Sequence, residues 1–457
     1  GWTEVHTPLY TTLLWAWQLV GGSGTAWTRL LSVLTGLATI VVAELCLRRT
    51  SVSVLGRRLA VALTAAGGFG IVYAQEVRPY ALLLLGATGL TAATLTRLDD
   101  LRDQVPTSWR RPAPWFGWAL LTATTHLLGT VLVAVVTLVL AANARRRGGA
   151  RPALRELGFG LVALLPQLAW IALGSLRSGF AQGTTWIVAP TPASVWELLT
   201  TSFGAGGLTP HSDGFPFTSP AGVAVVLVVL TAAVVLRARG RRPPSPDDPE
   251  TGAAQTDLRS GLLLLAIAAA TILLTYLVSQ WVHLWTLRNM IVVLPPLTWG
   301  VAWVAAALPR TPAGRRGVAA TLLVAMLVSL GPVARDLQQP YKNDWRSLIR
   351  YLEQVRNEDP EATFSVFGSD PAGAIVAADG DTSAAARQRL DARMDWHPRD
   401  VASIADLRRI PGRQVVYYHG GVGRPRLPEV ERAILEQLDD PRCRPVPIYG
   451  FVVVSCP

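Results

Sequence analysis

The chain has 457 residues, half of them hydrophobic and only 16% charged, where an ordinary soluble domain carries about 25% charged residues. This balance excludes a disordered chain, a collagen and a small disulfide scaffold, and leaves a polytopic membrane protein with one soluble part. A net charge of +11 would suit nucleic acid on a soluble protein. Here the basic residues lie between apolar runs, where they set topology, so no nucleic-acid partner is expected.

The stretch Tyr10–Val20 is too short to cross a bilayer and reads as an interfacial helix, with Trp15 and Trp17 as anchors. Apolar runs follow at Trp27–Leu47, Arg58–Tyr73, Tyr80–Leu98, Trp115–Ala142, Leu157–Leu176, Ala221–Leu236, Gly261–Val282, Met290–Leu308 and Val318–Val333. One helix needs about 20 residues to cross. The Trp115–Ala142 run exceeds that and carries Thr124, Thr125, His126 and Gly129 near its middle. It therefore predicts two short spans with a turn at His126, which makes ten crossings in all. The loop Arg239–Thr256 is rich in Pro, Asp and Gly and reads as a flexible linker.

Arginine placement orients the spans. One set of loops holds Arg48, Arg49, Arg57 and Arg58; Arg97, Arg102, Arg110 and Arg111; and Arg145–Arg147 with Arg151 and Arg155. The same set continues with Arg237–Arg242 and Arg259, then Arg310, Arg315 and Arg316. The opposite loops hold only Arg29, Arg78, Arg177 and Arg288. The positive-inside rule puts the first set in the cytoplasm, so the N-terminal stretch and everything after Val333 lie outside. Arginine is used almost to the exclusion of lysine, Lys342 alone, a bias that suggests a GC-rich bacterial genome.

The tail, residues 334–457, is nearly charge-neutral and reads as a soluble extracytoplasmic α/β domain of ordinary size. Helical spacing runs through Trp345, Leu348, Ile349, Leu352 and Val355, and again through Pro428–Leu438. Thr363–Gly368, Gln414–Tyr418 and Ile448–Ser455 read as buried strands. Cys443 and Cys456 share this domain, in a compartment that tolerates disulfides; they form a candidate pair, with two free thiols as the alternative. The expected organisation is thus a mainly α, multi-pass bundle over residues 1–333 in the cytoplasmic membrane, and a small α/β domain over 334–457.

Polar residues are most costly near the membrane interior, and function should sit there. On the predicted outer side Glu4, His6 and Tyr10 precede the interfacial helix. Glu76 and Arg78 join two spans with almost no loop, His126 lies at a turn, and Arg288 enters a span. Two guanidinium groups suit a phosphate. Carboxylates suit a general base or a divalent metal. A phosphate carried on a lipid would reach such a site from the bilayer. The loop 177–220, with Gln182, Trp186, Trp196, Glu197, His211 and Asp213, could stack on a sugar, but its tryptophans are better read as marking an interface.

Tyr73-Ala74-Gln75-Glu76-Val77-Arg78-Pro79-Tyr80-Ala81-Leu82 resembles a signature of bacterial polyprenyl-phosphate-sugar glycosyltransferases. These GT-C proteins (glycosyltransferase family 39-like) are related to protein O-mannosyltransferases and the lipid A aminoarabinose transferase. His6-Thr7-Pro8-Leu9-Tyr10, Thr125-His126, Arg288 with Leu294-Pro295-Pro296, and Tyr341 with Asp344-Trp345-Arg346 resemble further elements of that family. The resemblance implies inverting transfer of one sugar, mannose by analogy, from a polyprenyl phosphate. The acceptor, outside the cytoplasmic membrane, could be a protein, glycan or lipid. It implies that Arg78 and Arg288 neutralise the donor phosphate and that Glu76 orients Arg78 or the sugar. His6, Tyr10, Tyr80 and His126 would contact substrate, and metal dependence stays open.

The family's base is an Asp, usually in an Asp-Glu pair after a first helix. Neither precedes His6 here, and Glu4 is the only acid nearby. Since the chain opens on Gly1, the expectation is that such a helix lies upstream, with a diverged member that lacks the base as the alternative. His6-Thr7-Pro8 and Arg288-Asn289 also depart from the family's His-Pro-Pro and Arg-Tyr. Two rival readings use the same arginines without a base: a transporter or flippase for a lipid-linked sugar, and a non-catalytic subunit that binds one.

Overall fold

Pro8 opens the first helix at a position where its missing N–H costs nothing. From there the computed structural model describes residues 7–103, 112–175, 187, 189–203, 231, 249–282, 284–337, 345–367, 399–400, 404–419, 427–448 and 451–457. The chain divides into two compact units, one made mostly of residues up to Val333 and the other mostly of residues after it. Each is taken by itself.

In the first unit α1 (Pro8–Gly21) ends at Gly22, whose φ of 81° favours glycine. Trp17 of α1 stacks on Trp27 of α2 (Thr25–Leu47) at 4.5 Å. Each indole N–H donates to the other residue's carbonyl, at 2.8 and 3.0 Å. Next come α3 (Val54–Ala66), the short α4 (Gly68–Tyr73) and α5 (Tyr80–Arg102). Then follow α6 (Ala113–Thr125), α7 (Leu127–Gly148), α8 (Ala150–Ser175), α9 (Pro192–Phe203) and α10 (Pro249–Val278). A 3₁₀ turn, Asn289–Val293, leads into α11 (Leu294–Ala307), and α12 (Pro312–Leu337) follows.

Among the described residues, six helical stretches are long and apolar enough to cross a membrane: Thr25–Leu47, Tyr80–Arg102, Leu127–Gly148, Ala150–Gly174, Gly252–Val278 and Asn289–Ala307. The four other expected crossings fare differently. Arg58–Tyr73 is broken at Gly67, where ψ of 102° leaves the helical region. The first half of Trp115–Ala142 is the 13-residue α6. Ala221–Leu236 falls almost wholly outside the described residues. Val318–Val333 lies on α12, some of whose side chains are also outside them.

Burial separates the centre of the bundle from its rim. The Tyr80–Arg102 and Asn289–Ala307 spans are 83% and 89% buried, against 17% for Ala150–Gly174. Indoles tie the centre together: Trp303 Nε1 donates to the Gly56 carbonyl, Trp299 Nε1 to Thr64, and Trp115 Nε1 to Thr94. At the rim, Leu34, Leu37, Val41 and Leu45 form one exposed stripe along α2. Such a stripe belongs in hydrocarbon rather than water, and the unit is membrane-embedded.

Polar contacts pin several helix ends. The Ser53 hydroxyl caps α3 by accepting from Gly56 N, while Ser53 N and Oγ both donate to Asp257 of α10. Ser51 holds Asp99 of α5 in the same two-point way, at 2.8 Å each. Arg97 of α5 pairs with Glu156 of α8, both essentially without exposure.

The second unit is a five-stranded sheet in the order β2-β1-β3-β5-β4. Its strands are β1 (Thr363–Phe367), β2 (Arg399–Asp400), β3 (Gln414–His419), β4 (Arg444–Pro445) and β5 (Phe451–Cys456). β1 pairs in parallel with β2 and β3; β5 is antiparallel to β3 and β4. Alternation sorts the strand residues between two faces. Val415, Tyr417 and Val453 join Leu348, Leu352 and Val355 of α13 (Trp345–Glu358). Val416, Tyr418, Val452 and Val454 join Val430, Ile434 and Leu438 of α14 (Leu427–Leu438). A disulfide joins Cys443 to Cys456 at the second face.

Candidate functional site

The site grows from two abrupt chain reversals. The first is the link from α4 to α5. Tyr73 ends one helix and Tyr80 begins the next. The turn between them closes on itself: Glu76 N donates to the Tyr73 carbonyl and Arg78 N to the Glu76 carbonyl, at 3.3 and 2.8 Å. Pro79 supplies the last non-helical residue, and its carbonyl accepts from Leu83 N. A turn this short fixes its side chains. Glu76 is buried and Arg78 exposed, so the acid points inward while the guanidinium meets solvent or a ligand.

The second reversal is at His126. Its extended backbone, φ −160° and ψ 146°, separates α6 from α7. Its Nδ1 caps α7 by accepting from Leu128 N at 3.2 Å, which leaves Nε2 as the protonated nitrogen of the neutral ring. The helices meet closely there: a Cβ on Gly129 would lie 2.0 Å from the Thr122 carbonyl oxygen. Only glycine permits that approach.

Tyr80 links the two reversals. Its ring is edge-on to Tyr73, with centroids 4.9 Å apart, and 6.1 Å from the His126 ring. Both phenols are fully buried. Glu76, Arg78 and Arg288 are all near enough to act electrostatically on Tyr73 and Tyr80. Arg288, half-buried, stands immediately before the 3₁₀ turn Asn289–Val293, whose Met290, Ile291, Val292 and Val293 have no exposure.

Tyr10 reaches the same cluster from α1. Its hydroxyl bonds Ser32 Oγ of α2 at 3.2 Å, and Arg78 and Glu76 both act on it. Burial pushes the phenol above its ordinary value, the Ser32 bond and Arg78 opposing the shift, so Tyr10 is neutral at ordinary pH. Thr7, one residue before α1, donates its hydroxyl to the Thr125 carbonyl at 2.6 Å, with both residues buried. This ties the start of α1 to the end of α6.

Tyr10, Glu76, Arg78, Tyr80, His126 and Arg288, named from sequence, thus come together. Glu4 and His6 lie outside the described residues, as do Gln182, Trp186, His211 and Asp213. Cys443 and Cys456 belong to the other unit. Among the described residues, no three His, Cys, Asp or Glu side chains gather where they could hold a metal ion. Three participants escaped the sequence reading: Tyr73, Thr7 and Asn289. The last two stand where the sequence departs from the pattern it resembles, which marks their positions but not what they bond.

No family model matches the chain, and no curated protein matches it. Its fold is similar to that of ArnT from Cupriavidus metallidurans, solved bound to undecaprenyl phosphate. The TM-score is 0.51 at 15% identity, covering 98% of this chain and 87% of ArnT. The apo state of the same ArnT gives 0.38 at 14% identity over the same shares.

Proposed function

We propose that the chain is a membrane glycosyltransferase that takes its sugar from a polyprenyl-phosphate donor. The observation that carries this reading is the convergence of Arg78 and Arg288 on one buried cluster of Tyr73, Tyr80 and Glu76. Two guanidinium groups at the end of apolar helices suit one phosphate on a lipid. The fold supports the reading too, because ArnT, similar in fold, has been solved with undecaprenyl phosphate bound.

In this reading the acceptor's hydroxyl oxygen attacks the anomeric carbon from the face opposite the phosphate. The bond from that carbon to the phosphate oxygen breaks, and polyprenyl phosphate leaves with the electron pair. Arg78 and Arg288 bind the charge that develops there, which is where preorganised donors act most strongly. The hydroxyl proton passes to a carboxylate, for which Glu4 and Glu76 are the candidates. His6, Tyr10, Tyr80 and His126 line the donor. Mannose leads as the sugar, by analogy alone, and the acceptor is a protein, glycan or lipid. The reaction faces the outside of a bacterial cytoplasmic membrane, the chain crosses it about ten times with α3 and α4 sharing one broken crossing, and residues 334–457 form an outer domain.

The test uses the full gene product in proteoliposomes with polyprenyl-phosphate [¹⁴C]mannose and a membrane extract as acceptor source. Label should move to the acceptor. Arg78→Ala should slow transfer about 30-fold or more, from roughly 2 kcal/mol for a lost charge-assisted contact. Unchanged transfer by Arg78→Ala would refute the site. Label that crosses the bilayer still attached to its lipid would identify a transporter instead.

A further inference from the structure

Arg288 sits on a six-residue turn, Leu284 to Asn289, that is anchored at both ends. At the first end Leu284 and Trp285 are buried, and the Trp285 ring lies edge-on to Tyr276 of α10 at 6.1 Å. At the second end one side chain makes the closure. Asn289 Nδ2 donates back to the Leu284 carbonyl at 2.9 Å, and Asn289 N donates to Thr286 Oγ1 at 3.2 Å. The same amide accepts from the Tyr80 hydroxyl through Oδ1, at 3.4 Å. Asn289 therefore ties together the two chain segments that carry the arginines: the turn of Arg288 and the start of α5, two residues after Arg78.

We infer that Asn289 is a positioning residue, which by closing the Leu284–Asn289 turn and bonding Tyr80 holds Arg288 where it meets the donor phosphate. This rests on the phosphate site proposed above. The physical case is one of preorganisation. An arginine side chain has many rotamers to lose on ordering, and a free turn would add backbone freedom to it. Groups that are fixed before the ligand arrives spare that ordering cost. No other residue in this turn has a side chain bonded both within the turn and to Tyr80 among the contacts described. Asparagine also has the right size and chemistry to make both bonds, since its amide offers one acceptor and two donors on a short stem.

The probe is radiolabelled undecaprenyl phosphate, bound to the purified full-length protein in detergent, with melting temperature followed in parallel. Asn289→Ala should weaken binding about tenfold, the scale of one or two lost hydrogen bonds. Asn289→Ala/Arg288→Ala should bind no more weakly than Arg288→Ala, because Asn289 acts through that arginine. Asn289→Asp keeps the shape and guards against a misfolded alanine variant. Deprotonated, it cannot donate to the Leu284 carbonyl and competes with phosphate for Arg288. Its binding relative to wild type should therefore recover as pH falls through the carboxylate range, a response that a merely structural residue would not give. Wild-type binding by Asn289→Ala alongside impaired Arg288→Ala would overturn this inference alone. So would a full additional loss in the double variant. Wild-type binding by Arg288→Ala would overturn the phosphate site and the inference together.

Discussion

Removing one partner of the Arg97–Glu156 pair should destabilise the helical unit far more than removing both. Arg97 Nε and Nη2 reach the two carboxylate oxygens of Glu156 at 3.2 and 2.5 Å. The side chains are 2% and 1% exposed, so neither ion has water to fall back on. Breaking such a pair from one side costs about 3–5 kcal/mol, because the survivor is left charged and buried. Neighbours soften this. Asp100 lies 3.8 Å from Arg97, a distance at which opposite charges still attract by about 4 kcal/mol at an effective dielectric of 20. Glu156→Ala should therefore fall near the lower bound, about 3 kcal/mol. Arg97→Met/Glu156→Leu leaves no buried ion in the pair and fills the space with apolar atoms. It should unfold within about 1 kcal/mol of wild type or later. Denaturant unfolding of the purified protein in detergent separates the cases. A single variant that loses under about 1 kcal/mol, or a double variant as unstable as the single, would refute the reasoning. Arg97 lies about 25 Å along α5 from Tyr80 at 1.5 Å per residue, so these variants read stability and not the proposed phosphate site.

Ser53→Ala removes both the cap on Gly56 N and one of the two donors to Asp257, and should cost about 2–4 kcal/mol in the same unfolding assay. Cys443→Ser/Cys456→Ser opens a link across 13 residues and should cost about 3 kcal/mol in the oxidised protein; a reductant should have no effect on the variant. Asp440 is held well below the usual carboxylate range by the side chain and backbone N–H of Arg442 and then by Arg409. Its lowered value means that the stabilisation is fully present above the unfolded carboxylate value, near pH 4, and is lost as pH falls towards the folded value. Asp440→Asn should therefore melt lower than wild type at pH 7, and the difference should shrink on acidification below about pH 4.

Where the sequence could be read depended on whether a signal was local. The helix Trp345–Glu358 and strands β1 and β3 follow from the periods of their own apolar residues. β5 begins at Phe451 rather than Ile448, because Phe451 N turns back to the Ile448 carbonyl. β2 and β4 have two residues each, too few to show any period, and exist only through their neighbours. The turn at His126 was legible because an apolar run too long for one crossing carried polar residues and glycine at its middle. The break at Gly67 also had a local signal, Gly67-Gly68 with Gly70 close behind, a glycine dipeptide that marks a turn, but the length and largely apolar character of the run favoured one crossing.

The candidate site divides along the same line. Glu76, Arg78 and Tyr80 were legible because they sit in one short motif, and Arg288 because an arginine at the predicted outer end of a span opposes the usual charge bias. Their meeting is another matter, since Tyr80 and Asn289 are 209 residues apart. An asparagine beside an arginine reads in sequence as an ordinary turn residue. Two of its three hydrogen bonds lie within its own turn, and the third, from Tyr80, arises only once α5 and the Asn289–Val293 turn pack side by side, with Met290 to Val293 wholly buried. Burial of those four apolar residues fixes the turn's depth, and Asn289 then fixes its shape. The arginine between a buried tryptophan and a bonded asparagine inherits both constraints. The guanidinium proposed to bind phosphate is thus positioned by apolar packing on one side and by one amide on the other, and only the first of these leaves a pattern in the sequence.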